Sequence, residues 1–96
     1  MITDINAEFE KFEDDYGRFD DIENKMSMRP DLHAFILFDQ LAPAKGDIIS
    51  ASEHDEFFLN VDVEEFKKHA TPEIVRDLRR CGVMWSGEYE SFSMFA

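Results

Sequence analysis

Glu53, His54, Asp55 and Glu56 stand side by side near the middle of the chain. With Asp47, Asp62, Glu64 and Glu65 they make the stretch 47–66 the most chemically loaded in the sequence. Seven carboxylates fall in it without one Lys or Arg. A histidine among carboxylates is a combination that binds a divalent cation or relays a proton. A metal needs ligands that converge, however, and neighbours along a strand or turn point apart. His33 and His69 lie elsewhere, with no HExxH or CxxC spacing on which to build a zinc site. His54 is therefore expected to pair with a carboxylate and steady a turn, and neither a metal nor any other cofactor is expected.

Cys81 is the sole thiol and hence the only possible sulfur nucleophile. It falls at the C-terminal end of an expected helix, where the backbone dipole opposes a thiolate, although Arg79 and Arg80 stand close by. That placement points to a buried structural cysteine. A lone thiol forms no internal disulfide, which suits a reducing compartment. The four glycines are scattered, and no phosphate-binding loop or nucleophile elbow is present. Carboxylates are too abundant to single out an acid–base pair. The expectation is a protein that is not an enzyme.

The elements that must position these groups are read from periodicity. Between Phe57 and Val63 the apolar residues Phe57, Leu59, Val61 and Val63 alternate with Phe58, Asn60 and Asp62, as along a strand with one face buried. A hairpin is expected from 47–52 and 56–61 around SEHDE, with a loop longer than two residues because no glycine turn is available. Asp62 is placed to cap a helix over 63–69, with Glu65 completing a capping box. Thr71 and Pro72 open another helix carrying Ile74, Val75, Leu78 and Cys81, with Arg76, Arg79 and Arg80 outward or near its C-terminus. Gly82 closes it in a left-handed conformation. A terminal hairpin pairs 83–85 with 89–95, the last strand half exposed to water.

Upstream, Ile2, Ile5, Phe9, Phe12, Tyr16 and Phe19 recur at steps of three and four. The spacing predicts an amphipathic helix over about 3–16, a bend at Gly17, and helical continuation towards Met26. Asp14 with Arg18, and Asp21 with Lys25, form acid-before-base pairs along it. The acids EDDYGRFDDIE do not meet the ligand spacing of a calcium loop and read as a solvated helix face. Leu32–Leu41 reads as a first strand, apolar on both faces. The fold expected is α+β: a single domain, 1–96, in which an acidic helical segment 1–28 precedes an α+β core 29–96. The core is a small antiparallel sheet of four to five strands, with the N-terminal amphipathic helix and two short helices packed on it.

Charge is the strongest global property. The chain of 96 residues carries 22 acids against 10 bases, a net −12. Residues 1–25 hold nine acids and three bases, so half the excess sits in about a quarter of the length. Such a surface repels nucleic acid and anionic lipid and attracts cationic protein surfaces. It also serves solubility. No apolar run reaches the length of a membrane span, and the N-terminus lacks the pattern of a secretion signal. A soluble, cytoplasmic protein is expected.

Two segments carry a resemblance. DIISASEHDEFFLNVDV (47–63) and LRRCGVMWSGEYESFSMFA (78–96) resemble small proteins of unassigned function encoded by tailed bacteriophages. In those an aliphatic strand, an AEHDE-like turn and a terminal CGV…S…MFA pattern recur. The resemblance covers the C-terminal half and implies a phage context, with action in the host cytoplasm. Small acidic phage proteins without enzyme motifs are, by analogy, stoichiometric inhibitors such as anti-CRISPR, anti-restriction or transcription-inhibiting proteins.

The function expected is therefore binding. The acidic surface engages a basic host protein at its nucleic-acid-binding surface, with carboxylates standing where phosphates would. The expected contact groups are Glu8, Glu13, Asp14, Asp15, Asp20 and Asp21 of the N-terminal segment, and Glu53, Asp55 and Glu56 at the hairpin turn. The alternatives are an assembly module that self-associates through a sheet edge or aromatic stripe, and a cation-binding domain at Glu53, His54 and Asp55.

Overall fold

The computed structural model describes residues 1–95. Four α-helices and four strands follow one another: α1 (Ile5–Lys11), α2 (Pro30–Leu41), β1 (Ile49–Glu53), β2 (Glu56–Leu59), α3 (Val63–His69), α4 (Pro72–Arg80), β3 (Met84–Ser86) and β4 (Ser91–Phe95). The strands make one antiparallel sheet in the order β1-β2-β4-β3. This is an α+β fold, as the sequence leads one to expect.

Phe92 is the point on which the layers meet. It lies at the centre of β4, fully buried. The rings of Phe38 and Phe66 lie 4.8 Å from it, Trp85 5.0 Å and Phe9 5.6 Å. Residues from α1, α2, α3 and β3 thus pack on a single side chain, each ring pair adding about 0.5–1.5 kcal/mol to simple burial. Register places Phe57, Leu59, Met94 and Trp85 on the same face as Phe92. Glu56, Phe58, Ser91, Ser93 and Phe95 fall on the opposite face.

The segment 32–41 corrects the sequence reading: it is helix α2, not a strand. Pro30 occupies the first turn, where its missing N–H costs nothing, and Arg29 before it is extended. His33, Ala34 and Phe38 are buried while Leu37 and Leu41 are half-buried, which is a helical stripe. The apolar run 34–38 fits either period, and here the packing of Phe38 on Phe66 and Phe92 decides for the helix.

The N-terminal segment is also broken earlier than its stripe suggests. Helix α1 is capped by Asp4, whose Oδ1 accepts from the Ala7 N–H at 3.2 Å, and ends at Lys11. Two 3-10 turns follow, Glu13–Asp15 and Phe19–Asp21, on either side of Gly17. Gly17 has φ +76, a left-handed conformation in which a helix cannot continue. The expected i, i+4 pairs therefore do not form. Arg18 reaches Asp21 at 3.0 Å instead, and Lys25 donates to the carbonyls of Asp20 and Ile22.

Other local signals act as read. Asp62 Oδ1 accepts from the Glu65 N–H and Thr71 Oγ1 from the Ile74 N–H. Gly82 has φ +92. Glu65 does not complete the box; its carboxylate turns to Lys68 at 3.1 Å and His69 at 3.2 Å, and the Lys68 contact holds it below the usual carboxylate range. The β1–β2 connection is shorter than expected. Glu53 pairs directly with Glu56, leaving His54 and Asp55 as a two-residue turn with His54 at φ +56. Strand β4 is not half exposed: flanked by β2 and β3, it buries Phe92, Ser93 and Met94 in succession.

Candidate functional site

The outer face of the sheet, at the β1–β2 turn, gathers the groups with binding chemistry. Among the described residues, the helices meet the sheet through Phe9, Phe38 and Phe66 on Phe92 and through Phe35 on Phe57, all on the inner face. On the other side Phe58 and Tyr89 meet edge to face, with ring centroids 5.5 Å apart and planes at 70°. Tyr89 is 61% exposed and Phe95 60% exposed. Tyr89 is positioned by the tight connection after β3, where its N–H donates to Ser86 Oγ at 3.2 Å. The next residue, Glu90, is left-handed at φ +48.

A hollow of about 340 Å³ lies at this place, lined by Glu53, His54, Asp55, Glu56, Phe58, Tyr89 and Phe95. A second of the same size adjoins it across Phe58 and Tyr89, floored by Ser50, Ala51 and Ser91. The small side chains of β1 leave the Phe58 ring accessible from that edge. Among the described residues, Asp55 and Glu56 have no Lys or Arg within 4.0 Å, and Glu53 has only His54, at a loose 3.9 Å. Ser93 Oγ donates to Glu56 Oε2 at 3.4 Å. The expected pairing of His54 is thus weak, and its ring is almost wholly in solvent. No group of three or more His, Cys, Asp and Glu side chains among the described residues is arranged to hold a metal ion.

The N-terminal acids are elsewhere. Helix α1 packs on α4 and β3, and both 3-10 turns pack on α4, at the opposite edge of the sheet from β1. The structure therefore does not bring the two acidic groups together. Nor are they equally free. Glu8 pairs with Lys11 at 2.8 Å, Asp15 with Arg80 at 3.2 Å and Asp21 with Arg18 at 3.0 Å. Glu13, Asp14 and Asp20 are exposed and lack such a partner among the described residues.

One of these pairs is made by an arginine of α4. Arg79 and Arg80 lie in its last turn, and all three arginines, Arg76 included, are half-buried rather than fully outward. Arg80 spans Asp15, Asp77 and the carbonyl of Asp21. Arg79 lies over the rings of Phe9 and Tyr16 and donates Nη1 to the Val83 carbonyl at 3.0 Å. Burial lowers its pKa from the ordinary value. These cations fasten the N-terminal segment to the core. Cys81 is buried beneath them, and burial together with Asp77 pushes its thiol up to about 12, which keeps it protonated.

Sequence reasoning located the acidic turn but passed over its aromatic neighbours. The signal was present: Phe58 is an apolar residue at a position that strand alternation gives to the outer face, and Tyr89 and Phe95 share the outer side with small serines. No protein-family model matches the chain, and neither a curated protein nor a solved structure shows significant similarity to it.

Proposed function

We propose that this chain is a small acidic inhibitor of the phage type, which binds a cationic nucleic-acid-binding surface on a host protein. The observation that carries the reading is the β1–β2 turn. Glu53, Asp55 and Glu56 stand at and beside a two-residue turn, unanswered by Lys or Arg among the described residues, next to an exposed aromatic face. The pairing of β1 with β2 holds their backbone positions, so binding has only the side chains left to order. The net charge of −12 steers the encounter with such a surface and repels nucleic acid itself.

The N-terminal acids act at longer range in this reading. Glu13, Asp14 and Asp20 add to the field, while Glu8, Asp15 and Asp21 chiefly hold the segment in place. The test is capture from bacterial lysate followed by competition. A retained protein should lose its own DNA or RNA as this chain is added, and Glu53→Gln/Asp55→Asn/Glu56→Gln should weaken that competition at least tenfold. Between about 0.05 and 0.3 M salt, complex formation should fall steeply as the Debye length shortens. Retained partners that keep their nucleic acid, or a triple variant that competes equally well, would overturn the reading.

A further inference from the structure

We propose that the outer-face hollow is an arginine seat: a guanidinium from the protein partner lies against Phe58 and Tyr89 while its N–H donors meet Glu53, Asp55 and Glu56. The inference rests on the reading above and specifies the contact group. Its basis is an uncovered sheet face whose apolar surface is made of three aromatic rings, Phe58, Tyr89 and Phe95. The rings of Phe58 and Tyr89 meet edge to face rather than stacked flat, so π-surface is left for a cation. The volume of about 340 Å³ is at the lower end of the roughly 300–1,000 Å³ that small ligands occupy.

Charge complementarity selects the occupant. An apolar side chain would cover the rings but strip water from the carboxylates without replacing their hydrogen bonds. A second copy of this chain would bring −12 towards −12. A lysine ammonium is a compact, strongly hydrated charge that meets the carboxylates but gives up its water poorly on the rings. Arginine alone combines a planar, weakly hydrated cation with a fork of donors suited to carboxylates.

The experiment uses the whole chain, labelled with nitrogen-15 and titrated with acetyl-Gly-Arg-Gly-Arg-Gly-amide, its lysine counterpart and its neutral citrulline counterpart. The arginine peptide should shift the amides of 53–58 and 89–91, bind about fivefold tighter than the lysine peptide, and leave the citrulline peptide without effect. Tyr89→Leu changes an exposed side chain and should keep the fold while weakening the arginine peptide about fivefold, the size of one cation–π contact. Glu13→Gln/Asp14→Asn, at the far edge of the sheet, should leave the amide shifts at 53–58 and 89–91 in place and the preference for arginine over lysine unchanged. Binding lost in the triple turn variant but untouched by Tyr89→Leu would overturn the aromatic seat and leave the acidic-surface reading standing. Equal binding of arginine and citrulline peptides would overturn the seat as well. So would amide shifts at 58 and 89 driven by protein concentration alone, which would assign the face to a second copy.

Discussion

His33 shows how one buried polar ring ties a loop to the core. It is 2% exposed, accepts at Nδ1 from the Met26 N–H at 3.1 Å, and stands edge-on to Phe19 at 6.1 Å. The acceptor role at Nδ1 places the proton on Nε2, which is buried without a partner. Burial lowers the pKa of the ring; nearby Asp77 acts against that and nearby Lys25 with it. A histidine whose folded pKa is depressed contributes stability above its unfolded pKa and loses it as pH falls through and below that value, about 6.5. We expect the urea midpoint of the wild type to drop between about pH 7.5 and pH 5.5 by more than that of His33→Asn, whose Oδ1 can still accept from Met26. Carboxylate titration is common to both proteins, so the difference isolates the ring. Equal pH dependence would remove His33 as its source.

At the scale of elements, caps and breakers were more legible than the periods between them. Asp62, Thr71, Pro72 and Gly82 each do locally what their side chains dictate, because a cap or a left-handed residue depends on its own turn alone. The hydrophobic run 32–41 carries no such local arbiter. It is apolar enough to satisfy two periods, and only the packing of Phe38 on Phe66 and Phe92, distant in the sequence, settles the matter. The stripe through Phe19 misled for a related reason: Gly17 breaks the helix, yet two 3-10 turns keep Phe12 and Phe19 facing the core. The Gly17 N–H donates to the Arg79 carbonyl at 3.0 Å, so its backbone is committed to α4. There is open space beside it, but φ +76 strains any side-chain-bearing residue. Gly17→Ala should therefore cost about 1 kcal/mol in chemical unfolding, whereas a continuous helix would make the same change stabilising. The sign alone discriminates. The candidate site was legible as charge in the same way, from Glu53, Asp55 and Glu56, whereas its aromatic half depended on a pairing between β2 and the turn before β4 that no local pattern encodes.

For the molecule as a whole, salt should push stability and binding in opposite directions. The excess of twelve negative charges is spread over a body whose radius of gyration is 12.1 Å, close to the screening length of roughly 10 Å at 0.1 M salt. At low ionic strength each unpaired carboxylate therefore feels most of the others, and compaction works against that repulsion. The few exposed ion pairs that salt would weaken, such as those of Lys11 and Arg18, are each worth about 0.2–1 kcal/mol. Repulsion outweighs them because bases answer fewer than half of the acids. Raising sodium chloride from about 0.02 to 0.3 M should lift the melting temperature by several degrees, in line with a gain of about 1 kcal/mol in a domain of this size. Attachment to a cationic partner should weaken over the same range, since the carboxylates that repel one another in the fold are those that attract it. Magnesium at equal ionic strength should stabilise no more than screening allows, as no cluster among the described residues gathers ligands for it. A melting temperature that falls with sodium chloride would mean that the internal pairs dominate and that the acidic surface is already spent on the protein's own cations.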